Sequence, residues 1–202
     1  MTRRQQDAGE PRVRITAFAA GEAKYSLDVK LKAGQSICAA RDPLFFSEGL
    51  VFSPVAGGMR WVSPGEGEMC FGADGADVAK LEVAKGPYLV ATELVVLWTD
   101  GVRLQREDVP GVPGFARTGG EGQLWVLLPG EKARMPLRVF GGQPDIVVDP
   151  ARLAWARVSA TPSPQRVTLT RTPGPGGRMW LKVSGDTAEI GLHGTARPGI
   201  RD

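Results

Sequence analysis

A short glycine-bounded segment recurs along this chain of 202 residues at one fixed spacing. The leading glycines of its three copies, and the trailing glycines that follow them, stay 55 residues apart: Gly67, Gly122 and Gly177, then Gly75, Gly130 and Gly185. Such a period predicts stacked copies of one small unit, because each copy covers its apolar face only against its neighbours. None of the repeated positions is a recognisable nucleophile, general base or metal ligand. The repeat therefore constrains the architecture more than the chemistry.

Tryptophan recurs at equivalent places in the copies, 55 residues apart in one pair and 57 in the other. Trp125 and Trp180 lie within the second and third copies, and Trp98 and Trp155 end the apolar stretches after the first and second copies. Large aromatic side chains that recur in this way predict core or intersheet packing, and they can also line a groove or an oligomer interface.

One tryptophan falls outside the repeated positions. Trp61 directly follows Arg60, and tryptophan and arginine are favoured anchors at binding surfaces. We therefore expect Trp61 and Arg60 to form an exposed contact.

The repeat also predicts the domain organisation. We expect a single β domain over residues 12–195, built from about three and a half copies of ~55 residues at roughly 12–64, 65–119, 120–174 and 175–195. The polar segments 1–11 and 196–202 are expected to form tails, the first of them disordered.

Alternation of apolar and polar residues predicts strands along most of the chain, for example over 12–18 and 25–31. The 27 glycines and 16 prolines are spread throughout, which disfavours long helices and supplies tight turns. Residues 149–157 have the capping aspartate and first-turn proline of a helix, but their alignment with 94–98 favours a strand entered through a turn. The predicted fold is all-β and antiparallel, as a β-sandwich or a double-stranded β-helix.

Composition favours a soluble protein with a core of its own. Apolar residues make up 42% of the chain, which is enough to bury a substantial core. Cys38 and Cys70 both sit in apolar runs, which is typical of buried free thiols and favours a reducing, cytoplasmic location. No apolar run approaches the ~20 residues of a spanning helix, and the polar N-terminal residues do not resemble a signal peptide.

The second copy carries a resemblance to a known family. The run Gly-x-Gly-Gln-Leu-Trp-Val-x-x-Pro-Gly at 120–130, then Met-Pro-Leu at 135–137, Ile-Val-Val-Asp at 146–149 and Leu-Ala-Trp at 153–155, resembles the repeated signature of the altered-inheritance-of-mitochondria family. The resemblance spans roughly Tyr25 to Gly194. It implies paired antiparallel sheets related to the tryptophan-responsive RNA-binding attenuator protein, and it implies no catalytic residues. The first copy departs from the pattern, with Cys70 where the other copies have tryptophan.

The residues needed for common enzymatic sites are missing from the sequence. His193 is the only histidine, so a site with two or three histidine ligands is excluded, and no Gly-x-Ser-x-Gly motif is present. The glycine-rich segment 172–177 lacks the Gly-Lys-Ser/Thr of a phosphate-binding loop, and its prolines remove amide donors. We expect no catalytic site, no cofactor and no metal.

The charge balance is only weakly basic. The net charge is +3, from 25 basic and 22 acidic residues, with basic residues enriched towards both ends. Such a cluster could contact phosphates if the two ends meet, but alternating basic residues are also typical of an exposed strand face. Nucleic-acid binding is therefore a minor alternative. Peripheral association with anionic lipid is another, helped by the mitochondrial-membrane association of some members of the resembled family.

Two functional hypotheses from different classes follow. The first is a noncatalytic β scaffold or protein-interaction module that self-associates through an edge strand or a repeat face. The alternative is a module that binds a ligand or a nucleic acid in a groove between two sheets. A flat apolar edge with scattered charges would favour the first, and a continuous basic stripe with exposed aromatic side chains would favour the second.

Overall fold

The regular elements of the chain are β-strands joined by turns, with short 3₁₀ segments between some of them. The computed structural model describes residues 9–18, 24–40, 46–74, 76–109, 112–129, 134–140, 146–157, 168–173, 179–184 and 187–192. The strands in chain order are β1 (Arg12–Phe18), β2 (Lys24–Leu31), β3 (Ser36–Ala39), β4 (Phe46–Glu48), β5 (Val51–Val55), β6 (Gly58–Val62), β7 (Gly67–Asp74), β8 (Ala76–Glu82), β9 (Tyr88–Ala91), β10 (Val95–Trp98), β11 (Val102–Val109), β12 (Val112–Gly120), β13 (Gln123–Pro129), β14 (Arg134–Phe140), β15 (Ile146–Val148), β16 (Leu153–Arg157), β17 (Thr168–Pro173), β18 (Met179–Ser184) and β19 (Thr187–Leu192). The 3₁₀ segments are Val83–Lys85, Thr92–Leu94 and Pro150–Arg152.

All strand pairs are antiparallel, so the predicted all-β antiparallel fold class is confirmed. Sheet A has the order β1-β2-β7-β4, and sheet B has the order β5-β6-β3-β10-β13-β8. Sheet C follows the order β11-β12-β9-β16-β19-β14, and sheet D the order β15-β18-β17. Within the described part of the chain, no helix is long and apolar enough to cross a membrane.

Sheet B is packed on both faces. On β13, the alternate residues Leu124 and Val126 belong to the core shared with sheet C, whereas Trp125 and Leu127 belong to the core shared with sheet A. A strand buried on both faces needs a continuous apolar run rather than an alternating one, and Leu-Trp-Val-Leu-Leu at 124–128 is such a run. The second copy of the repeated segment is apolar for this reason.

A bulge in β10 interrupts the alternation of side chains between the two faces of sheet B. The pairing of β10 with β13 shifts register between Val95 and Leu97. Val96 and Leu97 therefore both join the core against sheet A, while Val95 and Trp98 join the core against sheet C.

Strand order recurs every six strands. Each strand of sheet C is six later in the chain than the strand at the same place in sheet B, and β17-β18-β15 is six later than β11-β12-β9. Likewise β10-β13-β8 is six later than β4-β7-β2 in sheet A. The 55-residue sequence repeat itself stays a prediction. The first two copies lie on β7 and β13, which are six strands apart. The third copy leads into β18, and the strands six and twelve places before β18 are β12 and β6, so the third copy does not follow the six-strand recurrence.

The segment with helix-like signals forms a turn and a strand, as the alignment predicts. Asp149 accepts a hydrogen bond from the backbone N–H of Ala151 at 2.9 Å, and Pro150 opens a single 3₁₀ turn. The chain then continues as β16 (Leu153–Arg157) in the middle of sheet C. Sheet pairing with β9 and β19 thus prevails over the local capping signal.

A buried glycine in sheet C gives a test of this packing. Gly191 on β19 pairs with Trp155, and a Cβ atom at Gly191 would lie 2.1 Å from Nε1 of that indole. We expect Gly191→Ala to lower the free energy of unfolding by about 1–3 kcal/mol, because the buried ring has to shift. Chemical denaturation at pH 7 measures the change.

Gly119 is the matched control, since it also lies in sheet C and a Cβ atom there would meet nothing within 4 Å. Gly119→Ala is expected to stay within about 0.5 kcal/mol of the wild type. Equal effects of the two substitutions would contradict the packing described for Trp155.

Candidate functional site

A groove of about 970 Å³ lies between sheets B and C. Sheet B contributes residues of β3, the β5–β6 hairpin and β10, and sheet C contributes residues of β11 and β12. The lining combines apolar side chains with charged ones, chiefly Cys38, Val55, Trp98, Val102 and Leu104 together with Arg60, Asp100, Arg103 and Arg117. Concave sites that join an apolar surface to a few convergent polar groups are the usual form of small-molecule sites.

One wall of the groove is an ion pair supported by two further side chains. Nε of Arg60 lies 3.1 and 3.0 Å from the two carboxylate oxygens of Asp100, and Nη2 lies 2.6 Å from Oδ2. Ser36 donates its hydroxyl to Asp100 and accepts from Nη2 of Arg60 at 3.0 Å. Cys38 donates its thiol to Asp100 with a separation of 3.5 Å. Asp100, in the turn after β10, thereby joins that turn to β3 and β6.

These contacts set the protonation states of the cluster. Burial raises the pKa of Asp100, but hydrogen bonds from Arg60 and Ser36 outweigh it, so the net shift is downward. The hydrogen bond to Asp100 raises the pKa of Arg60. Burial, together with the neighbouring negative charge and the hydrogen bond to it, raises the pKa of Cys38 to about 12. The cluster is therefore a charged pair beside a protonated thiol, which is a poor nucleophile.

The opposite wall carries a second ion pair. Arg117 on β12 donates from Nη2 to Oε1 of Glu107 on β11 at 2.7 Å, and its Nε donates to the other carboxylate oxygen. The hydrogen bond to Glu107 raises the pKa of Arg117. Arg103 lies on the same face of β11 as Glu107. It is exposed and has no acidic partner in the part of the chain that the structure describes.

Three of the recurring tryptophans lie in the core, as the sequence predicts. Trp98 on β10 and Trp155 on β16 belong to the core between sheets B and C, and Trp125 on β13 belongs to the core between sheets A and B. Trp180 lies on β18 of sheet D and is half-buried. Trp98 alone among these four lines the groove.

Two of the recurring glycines lie in described segments, and both are sterically required. Gly122 has a φ of +134°, and a Cβ atom there would lie 2.0 Å from Oγ1 of Thr99. At Gly67 a Cβ atom would lie 2.9 Å from the carbonyl oxygen of Glu48. The other glycine positions, Gly75, Gly130, Gly177 and Gly185, lie outside the described residues.

The expected exposure of Trp61 is wrong. Only 6% of Trp61 is exposed, because β6 lies inside sheet B and its alternate side chains face the core against sheet A. Phe52 on the neighbouring β5 covers the indole, with ring centroids 5.0 Å apart. Arg60 points to the opposite face, where it lines the groove. The strict alternation along Gly58–Val62 was the signal that these two neighbours face opposite ways.

No local sequence signal identifies the partners of Arg60. Asp100 stands before Gly101, a pair typical of a turn, and the sequence around Cys38 predicts only a buried thiol. The contacts of Asp100 with Ser36, Cys38 and Arg60 span sequence separations of 40 to 64 residues, which no local motif records.

Both cysteines are buried and free, which confirms the sequence prediction for Cys38 and Cys70. Cys70 on β7 donates its thiol to Asp28 at 3.1 Å, and burial and this hydrogen bond raise its pKa to about 11. Among the described residues, no group of three or more histidine, cysteine, aspartate or glutamate side chains is placed to hold a metal ion.

A separate surface exposes apolar side chains at the edges of two sheets. Phe46 on β4, an edge strand of sheet A, is 48% exposed. Val51 and Phe52 on β5, an edge strand of sheet B, are 57% and 59% exposed. We call these three residues the apolar edge.

The fold is similar to that of a protein of known structure. The crystal structure of protein SPYM3_0169 from Streptococcus pyogenes matches with a TM-score of 0.65 and 14% sequence identity, over 92% of this chain and 94% of that one. At this level of identity the likeness shows a shared fold and carries no function with it. No protein-family model matches the chain, and no curated protein matches it.

The Arg60–Asp100 pair makes stability depend on pH. Because the folded pKa of Asp100 is depressed, the pair stabilises the fold above the unfolded pKa of about 3.9, and the contribution is lost as the pH falls through the folded pKa. We expect Asp100→Asn to cost about 1 kcal/mol or less at pH 7, since both side chains are partly exposed to solvent. The difference from wild type should shrink below about pH 4.

Urea denaturation at pH 7 and at pH 3 measures this difference, with Glu121→Gln in the adjacent turn as the control. A difference between Asp100→Asn and wild type that is the same at both pH values would contradict a charged pair.

The raised pKa of Cys38 predicts an inert thiol. With a pKa of about 12, the thiolate fraction at pH 8 is roughly one in ten thousand, against about one in four for an ordinary cysteine. Iodoacetamide at pH 8 should label Cys38 at least about a thousandfold more slowly in the folded protein than in urea. Peptide mapping by mass spectrometry follows the labelling, and comparable rates in the two states would contradict the burial described.

Proposed function

We propose that this protein is a noncatalytic β scaffold that self-associates through the apolar edge. The observation that carries the proposal is the exposure of Phe46, Val51 and Phe52 on two edge strands, β4 and β5, that are consecutive in the chain. Edge strands offer unpaired backbone groups, and proteins that stay monomeric usually place charges along them. None of the five residues of β5, Val-Phe-Ser-Pro-Val, is charged.

The occupant that this edge suits is a second copy of the chain. In a two-fold interface, residues close to the axis lie next to their own counterparts, so charged side chains there would repel each other. The lack of charge along β5 removes that repulsion, and the exposed ring of Phe52 and the side chain of Val51 supply apolar area to bury. Pro54 removes one backbone donor from the strand, which limits pairing to a short stretch.

A scaffold role also agrees with the chemistry of the groove. The thiol of Cys38 is held protonated, and the carboxylates of Asp100 and Glu107 are both engaged by arginine. Groups held in this way are poorly suited to act as nucleophile or base. We propose no cofactor.

We further propose that the chain is a member of the altered-inheritance-of-mitochondria family, on the signature around Trp125, and that it acts in the cytoplasm. The antiparallel all-β fold supports this membership without assigning a cellular process. Envelope, stress or assembly functions suit such a scaffold.

A second candidate function, a binding module that uses a groove between two sheets, is favoured by the groove between sheets B and C. Its charged groups are interspersed with carboxylates, as in the Arg60–Asp100 pair, rather than arranged as a continuous basic stripe. This arrangement suits a small ligand better than a nucleic acid.

Self-association is tested by placing a charge on the apolar edge. Wild-type protein should sediment as a dimer or a larger closed assembly at micromolar concentrations, and Val51→Lys should shift it to monomer by raising the dissociation constant at least about tenfold. Analytical ultracentrifugation over a concentration series measures this, and Val51 is preferred to Phe52 because Phe52 also covers Trp61.

Val147→Lys is the matched control, since Val147 is also an exposed valine on an edge strand, at 44% against 57% for Val51, and lies on β15 of sheet D. It should leave the assembly unchanged. A wild-type protein that remains monomeric at 100 micromolar, or a Val147→Lys variant that dissociates as far as Val51→Lys, would refute the proposed edge.

A further inference from the structure

We propose that the groove between sheets B and C binds a small organic anion with an apolar body, such as a medium-chain carboxylate. This inference names the ligand class for the second candidate function and is independent of self-association through the apolar edge. It rests on three features of the groove: uncompensated positive charge, an apolar floor, and size.

The charge of the groove is positive after its internal pairs are counted. Arg60 and Arg117 are each neutralised by one carboxylate, from Asp100 and Glu107. Arg103 adds a third guanidinium, which lines the groove, is exposed, and has no acidic partner among the described residues. A guanidinium binds a carboxylate through two parallel hydrogen bonds, so Arg103 is the group that would receive the anionic head.

Both paired arginines also keep N–H donors that their ion pairs do not use. Arg60 and Arg117 both use Nε and Nη2 for their carboxylates, and Nη1 of each takes no part in these bonds. Because the pairs fix both guanidinium groups, these remaining N–H groups are already ordered before a ligand arrives. An anion bound to Arg103 would meet a positively charged wall at little entropic cost.

The floor of the groove is apolar and buried. Trp98, Val102 and Cys38 lie beneath it, each less than a tenth exposed, and Leu104 and Val55 flank it at intermediate exposure. Because Cys38 is held as a neutral thiol, it adds to the apolar surface rather than to the charge. A ligand that was charged throughout would leave this floor covered by water, whereas an alkyl or aromatic body would bury it.

The volume agrees with a small ligand. At about 970 Å³ the groove is at the upper end of the ~300–1,000 Å³ typical of small-molecule sites. A single-stranded nucleic acid would instead need a continuous basic track with exposed aromatic platforms. Trp98, the aromatic residue in the lining, is 4% exposed and offers no such platform.

The test uses 8-anilinonaphthalene-1-sulfonate, a fluorescent anion with an aromatic body, and N-phenyl-1-naphthylamine, its uncharged counterpart. The folded full chain should bind the sulfonate, and decanoate should displace it. Arg103→Gln should weaken the sulfonate about tenfold, as expected for loss of one charged hydrogen-bonding partner, and leave the uncharged probe unchanged. Arg106→Gln, an exposed arginine on the same strand outside the groove, should change binding by less than about twofold.

Equal effects of the two arginine substitutions, or displacement by oligothymidylate but not by decanoate, would overturn the proposal, the latter in favour of a nucleic acid. Binding that Val51→Lys abolishes and Arg103→Gln preserves would place the probe on the apolar edge, and would also overturn it. Circular dichroism melting of Arg103→Gln separates lost binding from lost folding. A chain that stays monomeric yet binds the sulfonate through Arg103 would refute self-association and sustain this inference.

Discussion

The burial of sheet B on both faces is the constraint on which the rest of the structure depends. Leu124 and Trp125 are adjacent in β13 and serve two different cores, so no position in the middle of this strand is free to carry a polar side chain. Charged side chains are therefore excluded from the middle of this strand. Arg60 of β6 lines the groove, and the apolar edge includes Val51 and Phe52 of β5, the outer strand of the same hairpin.

The Arg60–Asp100 pair forms beside this core, where β10 ends. Asp100 lies two residues after Trp98, the last residue of β10, where the chain leaves the core that is buried on both faces. It accepts hydrogen bonds from side chains of β3 and β6. Those contacts hold the β5–β6 hairpin against the body of sheet B. They also occupy both carboxylate oxygens of Asp100. The same bonds that shape the groove therefore leave Asp100 and Cys38 poorly suited to act as a base or a nucleophile.

Much of the fold, and little of the site, could be predicted from sequence. Alternation and turn residues predict antiparallel strands, and the apolar run around Trp125 predicts a buried one, because both signals are local. Trp61 was placed wrongly because its environment depends on which strands flank β6, and that order is set by pairings distant in sequence. Asp100 and Cys38 illustrate the same limit, since their proximity arises only once β3 and β10 are neighbours.

The six-strand recurrence has a consequence for how such a chain could grow. The blocks of six are β2–β7, β8–β13 and β14–β19. Sheet B takes β3, β5 and β6 from the first block and β8, β10 and β13 from the second, and sheet C is divided in the same way between the second and the third. Neither six-stranded sheet is thus contained in one block. Each added block would supply three strands that complete the three-stranded half-sheet of the block before it. Its other three strands would form a new half-sheet with an unpaired edge strand, so duplication of a block moves the unpaired edge along the chain and does not remove it. Sheet D, with three strands in the order β15-β18-β17, occupies that terminal place in this chain.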